Sequence, residues 1–144
     1  MSTYADTGFV VSLYKAESTS VQAARVMKRV VGPILLSPLS ELEIHNAFQL
    51  AVFRGQIPPE AALLKIELFR EDQKAGIFDV RPIPSTDLYG KAVELADRHS
   101  ARLGTRSLDL MHMAAALLLG ARTFLSFDDR QRHAAKAEGL ILKP

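Results

Sequence analysis

The chain contains no cysteine. This absence excludes a disulfide scaffold, a thiol nucleophile and a cysteine-ligated zinc or iron–sulfur site. No apolar run approaches the roughly 20 residues that a membrane span needs, and the N-terminus lacks the basic segment of a secretion signal. We therefore expect a cytoplasmic protein with no membrane partner.

Runs of like charge are also missing, which argues against a nucleic-acid-binding arm or an acidic tail. Lysine and arginine total 18 against 16 aspartates and glutamates, so the formal net charge is only +2. Apolar residues make up 48% of the 144 residues and charged residues 24%, a composition typical of globular rather than disordered chains. Residues 1–144 are therefore predicted to form one domain.

Glycine and proline divide the chain into short apolar strands that alternate with helices. The predicted strands cover residues 3–5, 34–36, 78–83, 123–127 and 140–142. The predicted helices cover residues 9–14, 20–30, 40–54, 59–75, 85–101, 108–119 and 130–138, with Thr7 and Ser107 as two of the N-caps. This alternation predicts the α/β class, with a parallel sheet covered on both faces.

Four carboxylates are expected at the carboxyl edge of this sheet, where open α/β sheets bind their ligands. Asp6 and Asp128 directly follow the first and fourth predicted strands. Asp109 lies in the first turn of a predicted helix, where free N–H groups favour an anion, and Glu43 lies early in the helix after the second strand. Taken singly, each acid is equally an ordinary cap or surface residue. Two neighbouring acids also stay open as contributors: Glu41 and Asp129.

Carboxylates this close together repel one another, and no basic residue occupies the predicted strand ends to neutralise them. Oxygen ligands without thiolate or imidazole suit Mg²⁺ or Mn²⁺. One or two such ions can hold a phosphodiester, polarise it and activate water for in-line attack. The same repulsion predicts that replacing Asp109 by asparagine stabilises the metal-free protein.

Other polar residues near the acids have both a functional and a structural interpretation. His112 lies one turn after Asp109, and we expect it to support the acids or fill the core rather than act as a general base. Asn46 shares the helix face of Glu43 in the same way. His99 and His133 are expected at the surface. Five arginines fit either phosphate contacts or solvated helix faces: Arg98, Arg102, Arg106, Arg130 and Arg132.

The ordered motifs resemble the PIN-domain family, and within it the VapC-type toxins of toxin–antitoxin pairs. The residues that carry the resemblance are Asp6-Thr7, SPLSELEIHNA at 37–47, LDLMHMAAAL at 108–117, FLSFDDRQ at 124–131 and AEGL at 137–140. Each motif is weak by itself. The likeness nevertheless spans essentially the whole chain in the same order and spacing.

The resemblance implies a single-domain α/β/α sandwich with a mainly parallel central sheet. It further implies a metal-dependent endoribonuclease in which Mg²⁺ or Mn²⁺ is held by the acids already selected: Asp6, Glu43, Asp109 and Asp128. Thr7, Asn46, His112 and Ser126 fall at positions that support those acids. An RNA substrate, a cognate VapB-type antitoxin and a homodimer are also implied. The chain departs from the family pattern at Gly8, where serine or asparagine is frequent.

Two other functions use similar features. A phosphotransfer or receiver-type domain also carries aspartates at strand ends, but it needs a second acid where Gly8 stands and a lysine at a late strand end. A non-catalytic interaction module with the PIN fold has no need of all four acids, and a metal titration separates it from an enzyme.

Residues 61–69 form an apolar segment longer than a small sheet requires, which favours a dimer.

Overall fold

The computed structural model describes residues 2–144, which form five strands and seven helices. The strands are β1 (Thr3–Ala5), β2 (Ile34–Leu36), β3 (Phe78–Val80), β4 (Thr123–Leu125) and β5 (Ile141–Lys143). The helices are α1 (Thr7–Tyr14), α2 (Ser20–Met27), α3 (Pro38–Phe53), α4 (Pro59–Lys74), α5 (Ser85–Leu103), α6 (Ser107–Leu118) and α7 (Asp129–Ala137).

The five strands form one sheet in the order β3-β2-β1-β4-β5, and every neighbouring pair is parallel. The central strand is β1, in which Tyr4 is paired with Leu35 of β2 and with Phe124 of β4. The carboxyl ends of β1, β2 and β4 therefore lie side by side. This topology confirms the predicted α/β class with a parallel sheet.

Helices cover both faces of the sheet and form two separate cores. Side chains of successive strand residues point to opposite faces, so Tyr4 and Phe124 pack with α5, α6 and α7. Ala5 and Leu125 pack instead with α1, α2, α3 and α4. The arrangement is a three-layer sandwich, and short strands suffice because both of their faces are buried.

Proline and glycine set several helix ends where the sequence indicates. Pro59 is the first residue of α4, a position where a missing backbone N–H costs nothing. Gly104 ends α5 with a φ of 66°, which a residue with a Cβ rarely adopts. None of the helices formed by residues 2–144 is both long and apolar enough to cross a membrane.

Some element boundaries differ from the sequence-based predictions. Asp6, rather than Thr7, is the N-cap of α1, because its Oδ1 accepts a hydrogen bond from the backbone N–H of Phe9 at 2.8 Å. Arg106, rather than Ser107, holds the N-cap position of α6. The third strand ends at Val80, before a proline that lacks the N–H needed to continue the ladder.

Candidate active site

A cleft of about 560 Å³ opens at the carboxyl edge of the sheet, and all four predicted acids line it. Asp6 directly follows β1, Asp128 caps α7 after β4, Asp109 lies in the first turn of α6, and Glu43 lies early in α3 after β2. The parallel sheet brings these distant parts of the chain together because β1 lies between β2 and β4.

Asp6 is the most buried of the four acids, with 3% of its surface exposed. Its Oδ1 accepts the hydrogen bond from the Phe9 backbone, and its Oδ2 accepts one from the Ser126 hydroxyl. Burial raises the pKa of Asp6, although these two hydrogen bonds and the nearby His112 oppose the rise. The protein therefore holds a carboxylate in a place where its charge is poorly solvated, which favours binding of a cation.

Ser126 connects Asp6 with Asp128 at the end of β4. Its hydroxyl donates to Asp6 and accepts a hydrogen bond from the Asp128 backbone N–H at 3.0 Å. Asp128 in turn accepts a hydrogen bond from the backbone N–H of Gln131 at 3.0 Å, which caps α7. The two strand-end acids are thus fixed relative to each other by a single buried hydroxyl group.

Glu43 is held by a hydrogen-bonded chain that crosses the layers of the fold. Its Oε1 accepts a hydrogen bond from Thr7 Oγ1 at 2.9 Å and is also hydrogen-bonded to His112 Nε2. The other ring nitrogen of His112, Nδ1, lies 2.9 Å from the Tyr4 hydroxyl. Burial by itself would raise the pKa of Glu43, but His112 and Thr7 outweigh it and lower the pKa. Since both nitrogens of His112 are engaged, its geometry suits the support of Glu43 better than proton abstraction.

Tyr4 lies below the cleft at the far end of the hydrogen-bonded chain that holds Glu43, and the sequence analysis missed it. Its hydroxyl lies 3.3 Å from Ser37 Oγ and 3.2 Å from Ser40 Oγ at the start of α3. Burial raises the pKa of Tyr4 to about 12, so the phenol stays protonated at neutral pH. A tyrosine inside a buried strand must find partners for its hydroxyl, and this was the available signal.

Asp109 is also buried and has hydrogen bonds to both of its oxygens. Oδ2 accepts from the backbone N–H and from Nε of Arg106, each at 3.1 Å, and Oδ1 accepts from Gln131 Nε2 at 3.2 Å. Arg106 Nη2 also lies 3.8 Å from Asp128 Oδ2. The expectation that no basic residue neutralises the acids is therefore wrong, because the turn before α6 brings Arg106 over two of them.

These contacts also reverse the expected sign for Asp109→Asn. The prediction assumed that repulsion among the carboxylates dominates in the metal-free protein. The structure adds an ion pair with Arg106 and a hydrogen bond from Gln131, and a neutral asparagine side chain would lose the ion pair. We now expect the asparagine variant to be less stable than the wild type.

Three residues considered from sequence do not belong to the described lining of the cleft. Asn46 is exposed on α3, one turn after Glu43. Glu41 accepts a hydrogen bond from Gln73 Nε2 at 3.1 Å and so turns towards α4. Asp129 is exposed in the first turn of α7. The geometry favours Glu43 and Asp128 over their acidic neighbours.

Gln131 is the most informative lining residue that sequence reasoning overlooked. It is buried, it donates to Asp109, and its Oε1 has no hydrogen-bond partner among residues 2–144. A glutamine three residues after a capping aspartate is ordinary in a helix, so only the packing of α7 against α6 identifies it. Other unpredicted residues at the rim are Glu17, Ser18 and Thr19.

The remaining histidines lie outside the cleft. His133 is exposed, as expected. His99 was expected at the surface, but only 5% of it is exposed, and its Nε2 lies 2.7 Å from Glu138 Oε2. The prediction that His99 lies at the surface is wrong, because Glu138, 39 residues away in the sequence, provides a hydrogen-bond partner for the buried ring.

The chemistry of the donor set fits a hard divalent cation. Carboxylates and the unpartnered amide oxygen of Gln131 line one cleft, and Mg²⁺ and Mn²⁺ prefer such oxygen ligands. As the side chains stand, no three Asp, Glu or His residues within 2–144 are grouped closely enough to hold an ion. Arg106 pairs with Asp109 and lies 3.8 Å from Asp128 Oδ2, so a cation bound between these carboxylates would have to displace the guanidinium.

Comparison with solved structures relates the whole fold to toxins and toxin–antitoxin complexes. VapC20 of Mycobacterium tuberculosis, described as a sarcin-ricin loop cleaving toxin, is 20% identical with a TM-score of 0.72, over 99% of this chain and 100% of that one. VapBC2 of Rickettsia felis, bound to a promoter DNA fragment, is 14% identical with a TM-score of 0.69, over 99% of this chain and 98% of that one. VapBC-1 of nontypeable Haemophilus influenzae is 18% identical with a TM-score of 0.66, over 99% of this chain and 97% of that one. With sequence identities this low, the structural similarity shows a common fold and nothing more.

Sequence comparison assigns the family directly. No curated protein matches the chain. The family profile described as "PIN domain" matches residues 3–137, a span that runs from β1 to the end of α7 and includes all four acids of the cleft. The chain belongs to the PIN domain family.

Proposed function

We propose that the protein is a metal-dependent endoribonuclease and the toxin of a type II toxin–antitoxin pair. The observation that carries the proposal is the convergence of Asp6, Glu43, Asp109 and Asp128 on one cleft of a PIN-domain chain. Further support comes from the similar fold of VapC20, which is described as a toxin that cleaves the sarcin-ricin loop. The reaction proposed is hydrolysis of RNA phosphodiesters by an activated water molecule.

In this proposal the four carboxylates hold Mg²⁺ or Mn²⁺ and serve as the catalytic set. A bound divalent ion would supply a Lewis acid for the phosphodiester and activate the water nucleophile. Thr7 and His112 keep the Glu43 carboxylate in place, and Ser126 keeps Asp6 and Asp128 in place. Such supporting hydrogen bonds orient ligands and are worth roughly 10–100-fold in metal affinity or activity.

Arg106 has two successive tasks in the proposed cycle. Without an ion it neutralises Asp109 and Asp128, and its side chain is 65% exposed, so little packing holds it there. A divalent cation held by Asp109 and Asp128 would free the guanidinium at the rim of the cleft. A free guanidinium in that position suits a bidentate contact with a substrate phosphate.

Partner proteins are part of the same proposal. Structures of the VapBC type contain a toxin and its antitoxin, which supports a VapB-type antitoxin for this chain. A homodimer is supported by apolar side chains of α4 that are 43–57% exposed, namely Leu63, Leu64 and Leu68. We also propose that the protein acts in the cytoplasm, where its RNA substrate is found.

RNA cleavage by purified protein tests the proposed activity. Wild type and Asp129→Asn should cleave RNA in Mg²⁺ and stop in EDTA, whereas Asp6→Asn should lose at least about 100-fold in rate. Expression of wild type, but not of Asp6→Asn, should arrest growth. Cleavage that resists EDTA, or equal cleavage and arrest by Asp6→Asn, would reject the proposal.

A further inference from the structure

Three basic side chains outside the cleft line a common cavity and have no carboxylate partner among the described residues. They are Arg25 of α2, Arg29 in the turn that follows α2, and Lys143 of β5, and the cavity measures about 470 Å³. Arg29 and Lys143 also line an adjoining cavity of about 150 Å³. The described lining of both cavities contains no aspartate or glutamate. We call these three residues the basic patch.

Elementary geometry explains why the three charges share one surface. Arg25 lies near the end of α2, and Arg29 lies in the turn that follows it, where its backbone N–H donates to the Val26 carbonyl at 2.9 Å. Lys143 ends the edge strand β5, and all three side chains are exposed. Val26 and Pro144 line the same cavity, so the basic side chains surround a partly apolar surface.

The basic patch and the cleft are connected by two features of the fold. Residues 17–19 line the cleft and lead directly into α2, which carries Arg25. The Lys143 carbonyl accepts a hydrogen bond at 3.1 Å from the backbone N–H of Ser126, whose hydroxyl donates to Asp6. Arg29 and Lys143 also share a cavity with Thr3 and Thr123, at the amino ends of β1 and β4. A ligand longer than the cleft can therefore reach the patch by leaving the carboxyl edge at residues 17–19 and following α2.

The basic patch can attract a polyanion, whereas the acidic lining of the cleft repels one. The described cleft lining has five acidic side chains, Asp6, Glu17, Glu43, Asp109 and Asp128, and one cation, Arg106. Such a lining repels a polyanion until a cation is bound, so attraction for an extended nucleic acid must come from outside the cleft. Unpaired arginine and lysine side chains supply it by contacting phosphates.

We propose that the basic patch binds the phosphate backbone of the RNA strand whose scissile bond lies in the cleft. The proposal rests on the proposed ribonuclease function and adds a second contact region for the same substrate. The recognised chemistry is the phosphodiester chain, which RNA shares with DNA. Continuity with the cleft favours RNA as the source.

The test compares two triple variants with the same change in charge. Arg25→Gln/Arg29→Gln/Lys143→Gln removes the patch. The control, Arg70→Gln/Lys74→Gln/Lys136→Gln, removes exposed basic residues of α4 and α7, including another pair four residues apart. Both are made in the Asp6→Asn background so that the RNA stays intact. Binding of a fluorescein-labelled 20-nucleotide single-stranded RNA is measured between about 50 and 200 mM salt.

Loss of the patch should weaken RNA binding at least about 10-fold relative to the control variant. The slope of log K against log salt should fall by about 2, since each phosphate contact on a single strand contributes about 0.7. Equal affinities and slopes for the two variants would overturn the proposal. A patch effect seen only with duplex DNA of the same length would overturn it too, because the patch would then serve DNA.

A separate measurement keeps the two proposals distinguishable. Cleavage by the wild-type protein in Mg²⁺ reports on the nuclease function, whereas salt-dependent binding in the Asp6→Asn background reports on the patch. A chain that cleaves RNA while the two triple variants bind it alike loses only the patch. Thermal unfolding of both triple variants should match that of their parent, which excludes misfolding as the cause of weaker binding.

Discussion

The molecule contains two clusters in which a glutamate meets a buried histidine and an arginine lies beside the acids. In the cleft, Glu43 is hydrogen-bonded to His112, and Arg106 pairs with Asp109. In the contact between α5 and the end of α7, Glu138 is bonded to His99 at 2.7 Å and to Arg98 at 2.6 Å. In both clusters burial opposes ionisation, but hydrogen bonds from cationic or polar partners lower the glutamate pKa.

The two clusters differ in the balance between acids and bases. The contact around Glu138 sets one carboxylate against two basic side chains, so no acid there lacks a basic partner. The cleft has more carboxylates than cations, and burial raises the pKa of Asp6. A histidine–glutamate pair is common to both clusters, so the excess of buried acids is the feature that singles out the cleft as the candidate site.

The largest difference is expected in RNA cleavage. Glu43→Gln removes a proposed ion ligand and should lower the cleavage rate by at least about 100-fold. Glu138→Gln makes the same chemical change outside the cleft and should leave the rate within a few-fold of wild type. Single-turnover cleavage of a defined RNA in Mg²⁺ measures both. Equal losses in the two variants would remove the functional distinction between the clusters.

The free energy of unfolding should also depend on the contact around Glu138. Glu138→Gln loses charge-assisted hydrogen bonds to His99 and Arg98, and 13% of the Glu138 side chain is exposed. The free energy of unfolding should fall by roughly 1.5–3 kcal/mol, discounted towards the lower end because Arg98 is half exposed. Urea unfolding measures this change. A Glu138→Gln variant as stable as the wild type would show that the contact does not hold α5 to α7.

Acid titration of stability gives a smaller, signed effect. The folded-state pKa of Glu138 lies below its ordinary value, so its ion pairs stabilise the fold above that value. This contribution is lost as the pH falls from the unfolded-state pKa, about 4.3, through the lower folded-state pKa. Glu138→Gln should therefore flatten the acid side of the stability–pH curve. Parallel curves for wild type and Glu138→Gln below pH 5 would contradict this assignment.

The smallest effect is expected for the anchor beneath the cleft. Tyr4→Phe leaves the ring in the core but removes the hydroxyl next to His112, Ser37 and Ser40. We expect a loss of about 1 kcal/mol in the free energy of unfolding and a cleavage rate reduced a few-fold through a less fixed Glu43. Tyr89→Phe, at an exposed tyrosine, is the control. Indistinguishable behaviour of the two variants would show that Tyr4 does not orient the site.

Much of the fold follows from local features of the sequence. Short apolar strands bounded by glycine and proline predicted a parallel sheet, and its carboxyl edge then located Asp6 and Asp128. The boundaries were less accurate because capping depends on side-chain contacts. Asp6 caps α1 from the position before the predicted Thr7, since its carboxylate reaches the Phe9 N–H.

The contacts that complete the site depend on how helices pack, and no local pattern encodes them. Arg106 reaches Asp128, and Gln131 reaches Asp109, only because α6 and α7 lie next to each other. His99 was wrongly expected at the surface for the same reason, since its partner Glu138 is 39 residues away. Sequence could select the acids by position but could not show which cations and hydroxyls hold them.

The central claim is that the carboxylates of the cleft bind a divalent cation, and thermal unfolding with and without Mg²⁺ tests it most directly. Without metal, Asp6→Asn should melt higher than wild type because it removes a buried charge that the fold solvates poorly. At about 100 times its dissociation constant, Mg²⁺ should stabilise wild type and Asp129→Asn by about 2.7 kcal/mol and Asp6→Asn by much less. An equal gain in all three proteins, or none in wild type, would contradict the account.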